Sequence, residues 1–120
     1  MLRHIREYER FDLEGFLHYM ELMVTNIAPW EDYTTKARLG TKVEVVITKD
    51  DTPYHPGADG SVQTNLFEKL VFKIRKNEVA VKVGDIVIPK GGEAIVYGDY
   101  RNQLSITADD VVKVQAEAKK

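Results

Sequence analysis

The chain has 120 residues, of which 43% are hydrophobic and 30% are charged, a composition typical of one folded domain rather than a disordered chain. The net charge is −2 and cysteine is absent, which excludes disulfides and thiolate metal sites. No apolar run approaches the roughly 20 residues that cross a bilayer, and the N-terminus is too charged for a signal peptide. We therefore expect a cytoplasmic protein without a membrane partner.

The N-terminal part of the chain is the most ambiguous. Residues 1–15 are expected to form an arm or a short helix. Residues 14–27 contain Leu and Met, which suit a helix, but Gly15 precedes the apolar run and β-branched residues continue it, which favours a strand. Pro29 is expected to end that strand, and residues 28–40 to form a polar connection.

The middle of the chain contains two clear strands. Apolar and polar residues alternate over residues 41–49, as in a half-buried strand. Residues 50–61 are rich in Pro, Gly and Asp and predict a loop. Residues 65–75 alternate again. Because side chains alternate across a strand, the pattern predicts the following core residues: Val43, Val45, Ile47, Leu70, Phe72 and Ile74.

The second half predicts further strands. Valines alternate over residues 79–83. Residues 86–99 read as a strand interrupted by Pro89 and the Gly91–Gly92 pair, the marks of a bulge or bend. Residues 103–114 read as a last strand, broken near Asp109. The expected fold is all-β with little helix: a curved, five-stranded, closed or partly open barrel over residues 16–115, since closure removes open sheet edges. Residues 116–120 are expected to form a flexible tail.

Motifs for catalysis or metal binding are lacking in the sequence. His4, His18 and His55 have no ligand spacing. The aspartates of the 50–61 loop lack the regular spacing of a calcium loop and suit turns. There is no nucleophile motif, and no glycine-rich phosphate loop. We therefore expect a protein that is not an enzyme and needs no cofactor.

Aromatic and basic residues form the main functional signal. The odd-numbered face of residues 65–75 carries three cations and a phenyl ring but no carboxylate, and residues 61–90 hold six Lys or Arg against three Asp or Glu. Rings that stack on bases, combined with cations that contact phosphates, are typical of single-stranded nucleic-acid binding. The candidate binding residues are Trp30, Tyr33, Lys36, Arg38, Tyr54, Phe67, Lys69, Lys73, Arg75, Tyr100 and Arg101.

Several of these aromatic residues have a structural alternative. Trp30 could equally plug one end of a barrel, and Tyr54 and Tyr100 could cap loops. The neighbouring strand residues Lys42, Glu44 and Thr48 read as ordinary surface. Four further apolar residues are expected in the core: Phe11, Phe16, Met20 and Met23.

The strand order resembles that of OB-fold single-stranded DNA-binding proteins. The resemblance covers roughly residues 16–115 and rests on "KVEVVITKD", "NLFEKLVFKI" and "VGDIVIPKGGEAIVYGDYRNQLSITADDVVKV". The loop-rich stretch "TKVEVVITKDDTPYHPGADGSVQTNLFEKL" is also similar to small proteins of bacterial phages and conjugative elements. Two departures stand out: residues 76–84 are too short and too Val-rich for a helix between strands three and four, and "QAEAKK" is not an acidic partner-recruiting tail.

The resemblance implies a sequence-independent binder of single-stranded DNA, with RNA as the other single-stranded ligand. The loops after the first and fourth strands would flank its groove. Replication or conjugation proteins would be its partners, and a homo-oligomer is compatible with the sequence. The alternative is an OB-like protein-interaction or structural module in a phage or mobile-element complex, because a fold does not fix a function.

Overall fold

The computed structural model describes residues 1–5, 10–100 and 102–114, and these form a mostly β structure. The only α-helix among them is α1, which has five residues. The elements in chain order are α1 (Leu13–Leu17), β1 (Met20–Glu31), β2 (Arg38–Asp50), β3 (Lys69–Ile74), β4 (Val87–Lys90), β5 (Glu93–Tyr97), β6 (Gln103–Ala108) and β7 (Asp110–Lys113).

The strands form one large sheet and one small sheet. The large sheet has the order β1-β2-β3-β6-β5, and the small sheet pairs β4 with β7. Every pair is antiparallel except β3 with β6, which run parallel over Phe72–Ile74 and Ile106–Ala108. The mostly-β prediction is therefore confirmed, but the paired strands do not close into a barrel.

Two pairs of strands are halves of longer bent segments, as the sequence predicted. Gly91 and Gly92 separate β4 from β5, and Asp109 separates β6 from β7, so each segment passes from one sheet to the other. Gly91 has a φ of 63°, and a Cβ there would lie 2.5 Å from a carboxylate oxygen of Asp109. Glycine is needed at this corner because an L-residue would be both strained and too close.

The core lies on the inner face of the large sheet, where the alternation placed it. Phe72 and Ile74 of β3 and Val43 and Val45 of β2 are fully buried, and Ile47 is 1% exposed. Leu70 is half-buried and packs against this cluster. The predicted face assignment for both strands is therefore confirmed.

Of the four further residues expected in the core, Phe11 and Met20 pack against the buried cluster. Phe16 and Met23 are half-buried and lie outside that cluster. The Phe16 ring instead packs edge-on against Phe11 at a centroid distance of 5.4 Å. The core prediction therefore holds fully for only two of the four.

The start of the first strand was predicted wrongly. Residues 13–17 form α1, because the Asp12 carboxylate accepts a hydrogen bond from the Gly15 backbone N–H and caps the helix. The helix also buries Leu13. It spans the expected boundary between arm and domain at residue 15.

The end of the first strand was also predicted wrongly. Strand β1 continues past Pro29, which pairs with Thr41, to Glu31. An edge strand tolerates proline because the missing N–H costs no ladder bond on its open side, and β1 is an edge strand of the large sheet.

The third wrong prediction concerns residues 79–83, which alternate but form no strand. Val81 is buried, whereas Val83 is 61% exposed. The segment runs as irregular chain to Ile86, which makes an isolated antiparallel bridge to Met23 of β1. An alternating pattern becomes a strand only where a partner strand is available. The parts of the arm and the tail at residues 6–9 and 115–120 lie outside the described residues.

Candidate nucleic-acid interface

The side of the large sheet opposite the core forms a broad surface, which we call the outer face. Its residues come from β2, β3, β6 and β5, and they alternate with the buried residues of the same strands. Successive side chains point to opposite sides of a strand, so the register defines the outer face as Lys42, Glu44, Val46, Lys69, Val71, Lys73, Gln103, Ser105, Thr107, Glu93, Ile95 and Tyr97.

Three lysines of the outer face have no carboxylate partner within residues 1–5, 10–100 and 102–114. Lys42 and Lys73 are directly opposite each other in the β2–β3 ladder, and Lys69 lies opposite Val46. Among the residues that the structure describes, no Asp or Glu oxygen lies within ion-pair distance of these lysines. Lys69 and Lys73 are four residues apart on one strand, or about 13 Å along it. The outer face therefore presents a row of unneutralised positive charge.

Two carboxylates of strands β1 and β2 accept hydrogen bonds from threonines. Thr25 of β1 donates its hydroxyl to the Glu44 carboxylate at 2.8 Å, and Thr48 donates to the Glu21 carboxylate at 2.8 Å. Both bonds link β1 to β2: the first directs the Glu44 carboxylate towards β1, and the second holds the Glu21 carboxylate of β1 against β2. Glu93 lies on β5, beyond Thr107 as seen from Lys73.

Apolar and aromatic side chains lie between and beside the lysines. Val71 is 38% exposed, Ile95 is 68% exposed and Tyr97 is 48% exposed. The sequence reasoning overlooked Lys42, Ile95 and Tyr97 as site residues. The signal was present, because Glu93, Ile95 and Tyr97 alternate with the half-buried Ala94 and Val96. Only the pairings of β5 with β6 and of β6 with β3 bring these residues onto the same face as the β3 lysines.

Phe67 does not lie on the strand face where the alternation placed it. Strand β3 begins at Lys69, and Phe67 is part of a turn with a φ of 70°. Its backbone N–H donates to the Ile47 carbonyl at 2.7 Å, and its ring is 70% exposed. This φ is uncommon for a bulky residue and costs about 1 kcal/mol. The ring is thus displayed to solvent at the Lys69 end of the outer face.

Arg75 is neutralised in the structure. It follows the last residue of β3, its guanidinium contacts Asp109 at 2.7 Å, and its backbone N–H donates to Ala108. Next to it, Lys76 contacts Asp110 at 3.1 Å. The Val111 backbone N–H and then Lys76 lower the pKa of Asp110. These two ion pairs connect the residues that follow β3 to Asp109 and Asp110, where β6 ends and β7 begins.

The residues predicted in the β1–β2 connection divide into two groups. Trp30 lies within β1, half-buried, opposite Gly40, where a Cβ would approach its ring at 3.1 Å. Arg38 donates to the Gly40 and Asn77 carbonyls and to the Thr41 hydroxyl. Its side chain therefore joins β2 to the segment after β3 instead of facing a ligand.

The tip of the same connection is exposed. Tyr33 is 90% exposed, and the Lys36 ammonium lies 5.3 Å from the centre of its ring, within cation–π range. Backbone N–H groups of Thr35 and Thr34 donate to Asp32 and lower the pKa of its carboxyl. The tip is thus a structured turn that holds an aromatic ring and a cation in solvent.

Tyr54 forms hydrogen bonds within the loop between β2 and β3, in agreement with the alternative that it caps this loop. Its hydroxyl donates to Asp50 at 2.8 Å and accepts from the Asn65 amide at 3.0 Å. Burial and the bond to Asp50 raise the pKa of Tyr54. Burial works to raise the pKa of Asp50 as well, but hydrogen bonds from Thr52, Asn65 and Tyr54 outweigh it and lower that pKa.

Tyr100 lies in the turn between β5 and β6 and is 88% exposed, whereas Arg101 lies outside the described residues. This turn is at the Tyr97–Gln103 end of the outer face, close in register to Lys69. The β1–β2 tip with Tyr33 lies beyond the Lys42 end. The two loops therefore flank the outer face at opposite ends, and the structure does not bring them together.

Other kinds of site have little support in the part of the chain that the structure describes. No three His, Asp or Glu side chains there converge on a point that could hold a metal ion. None of the described helical residues belongs to a segment long and apolar enough to span a bilayer. Comparison with protein-family models, with curated proteins and with solved structures gave no match.

Proposed function

We propose that this chain binds single-stranded DNA across the outer face of the large sheet. The observation that carries the proposal is the placement of Lys42 directly opposite Lys73 with no carboxylate between them. Like charges directly opposite in a ladder are destabilising. A bound phosphate backbone would remove that repulsion, so the arrangement is favourable with an anionic ligand and costly without one.

The architecture supports an OB-like arrangement for this binding face. Counting β4 with β5 and β6 with β7 as bent segments leaves five segments, the number in an OB-fold. Strand β3 pairs with β6 rather than with its successor in the chain. Backbone hydrogen bonds from Val24 to Asp85 and from Gly84 to Val24 join β1 to the chain just before β4. These contacts connect the open edge of β1 to the small sheet.

Binding would combine stacking with charge. Exposed rings at the Lys69 end, those of Phe67, Tyr97 and Tyr100, would stack on bases for about 1–3 kcal/mol each. Lys42, Lys69 and Lys73 would contact phosphates, and Tyr33 and Lys36 would extend the path beyond the Lys42 end. Three phosphate contacts predict that log affinity falls against log salt with a slope of about −2 for a single strand.

The test is a titration of oligothymidylate and of duplex DNA, followed by fluorescence anisotropy at several salt concentrations. Single strands should bind more tightly than duplex, because stacking needs base faces that a duplex hides. Lys73→Ala should reduce the salt slope by about 0.7. Lys49→Ala is the matched control, because Lys49 is exposed and pairs with Asp51 off the outer face. Equal binding of duplex, or equal effects of both variants, would remove the proposal.

The exposed apolar residues of β5 favour a second candidate, a protein-interaction module. Ile95 is 68% exposed beside Tyr97, which suits the centre of a protein interface. Such an interface would depend weakly on salt and would be weakened more by Ile95→Ala than by Lys73→Ala. The reverse order of effects supports nucleic-acid binding.

A further inference from the structure

Strands β3 and β6 separate at one end of the large sheet and leave a cleft between them. They pair only from Phe72 and Ile106 onwards. Before that point Lys69–Val71 on one side and Gln103–Ser105 on the other line an open cavity of about 830 Å³. This volume lies within the usual range of about 300–1,000 Å³ for small-molecule sites.

The bottom of the cleft is apolar and partly aromatic. Leu70, Leu104 and Ile47 line it and belong to the core or pack against it. Phe11 and Phe16, which form an edge-to-face pair, line it as well. Both phenyl rings are only half-buried, so part of each ring surface faces the cavity.

The rim of the cleft is polar and carries more positive than negative charge. Lys69 and Lys73 lie on the β3 side together with one carboxylate, that of Glu68, and the carboxamides of Asn102 and Gln103 lie on the β6 side. Neither of these two carboxamides hydrogen-bonds to any other residue that the structure describes. Each therefore offers a donor and an acceptor to a ligand.

We propose that this cleft takes one unpaired base of the bound single strand, an inference that rests on the proposed function. A base is flat and apolar on its faces and carries donors and acceptors on its edge, so it matches an apolar cavity that two phenyl rings help to line and that has carboxamides at its rim. The phosphates on either side of the inserted base would remain at the outer face, next to Lys69 and Lys73. A peptide lacks backbone anions on either side of an inserted side chain, so it matches the neighbouring Lys69 and Lys73 less well.

The inserted base would make binding depend on more than charge. Bases on the outer face stack without discrimination, because every base has a π-face. A base in the cleft would instead present its edge to Gln103 and Asn102. The cleft therefore supplies a base preference at one position of an otherwise sequence-tolerant site.

The experiment compares oligothymidylate with an abasic oligonucleotide of the same length by methyl NMR of the full chain. With oligothymidylate, ring currents from the inserted base should shift the methyl signals of Leu70, Leu104 and Ile47, and the abasic strand should not shift them. If the oligothymidylate binds but only Val46, Val71 and Ile95 shift, the cleft is not a base site and the proposed function stands. If no oligonucleotide binds, both proposals are overturned.

A pair of variants tests the rim independently. Gln103→Ala should weaken binding of oligothymidylate about three- to tenfold, the effect of losing one or two hydrogen bonds, and leave binding of the abasic strand unchanged. Gln63→Ala removes the same group from the exposed loop between β2 and β3. This control variant should change neither the affinity for oligothymidylate nor the affinity for the abasic strand. Equal weakening of both ligands by Gln103→Ala, or no weakening, would overturn the cleft assignment.

Discussion

Reversing one charge of the facing lysines should stabilise the protein and weaken its binding. In the β2–β3 ladder Lys73 lies opposite Lys42 and diagonal to Glu44. Side chains directly opposite have Cβ atoms about 5 Å apart, and diagonal ones about 7–8 Å apart. Lys73→Glu therefore replaces a close repulsion by a close attraction, and a weaker diagonal attraction by a weaker repulsion.

The expected gain follows from these separations. Two unit charges about 5 Å apart in water interact by about 0.8 kcal/mol, so the reversal contributes about 1–2 kcal/mol before salt screening and before the opposing effect of Glu44. We expect a net rise in the free energy of unfolding of about 0.5–1 kcal/mol, within the range of measured cross-strand pairs. For a domain of this size that is roughly 2–6 °C in the melting temperature.

Urea unfolding at low salt measures the gain, and a double-mutant cycle assigns it to the pair. Lys42→Glu alone should give a similar gain, and the variant with both substitutions should lose it because two like charges again face each other. The same Lys73→Glu variant should bind oligothymidylate more weakly than Lys73→Ala. If Lys73→Glu lowers stability, or if the double variant is as stable as the single ones, the two side chains do not interact across the ladder.

Three further predictions follow from burial, hydrogen bonding and exposure. Phe72→Ala should lower the free energy of unfolding by about 3–5 kcal/mol in urea, because Phe72 is fully buried, whereas Phe16→Ala should cost about half as much; equal losses would contradict the packing. Asp50 has a pKa below its ordinary value of 3.8, so its stabilising effect is present above that pH and is lost as the pH falls below 3.8 through the folded-state pKa. Asp50→Asn should therefore be less stable than the wild type by roughly 2 kcal/mol near neutral pH. If the difference in the free energy of unfolding between the two proteins did not decrease in acid, the Asp50 charge would be unimportant for stability. Tyr97→Ala should weaken binding of single strands by about 1–3 kcal/mol without changing the melting temperature by more than a few degrees, and an unchanged affinity would remove Tyr97 from the interface.

The strands β2 and β3 could be predicted from sequence because their periodicity, their length and their bounding turns agree. The errors occur where one signal was read alone. Gly15 before the apolar run favours a strand, but Asp12 provides a helix cap three residues earlier. The valines of residues 79–83 alternate with the period of a strand, but periodicity alone does not provide a neighbouring strand to pair with. In the structure these residues form no strand, and Ile86, three residues later, makes an isolated bridge to Met23.

The candidate site was less predictable than the core, since it depends on which strands become neighbours. The alternation over residues 65–75 predicts Phe67 on a strand face, and this fails because a positive φ at Phe67 interrupts the alternation. Tyr97 reaches the same surface only through the non-sequential pairing of β3 with β6. A single sequence shows that Tyr97 and Ile95 alternate with their neighbours, but it does not show the strand order that places them on the same face as the β3 residues.

The charge of the binding face also arises from different residues than a count along the chain suggests. Arg75 and Lys76 contribute to the excess of cations in residues 61–90, yet in the fold each contacts an aspartate of the bend between β6 and β7. Lys42, which lies outside that window, joins Lys69 and Lys73 through the β2–β3 register. An overall charge of −2 is therefore compatible with a locally positive outer face, because ligand binding responds to the local potential. Arg75 and Lys76 are paired with aspartates, whereas the outer-face lysines, which have no carboxylate partner among the described residues, are the phosphate contacts that we propose.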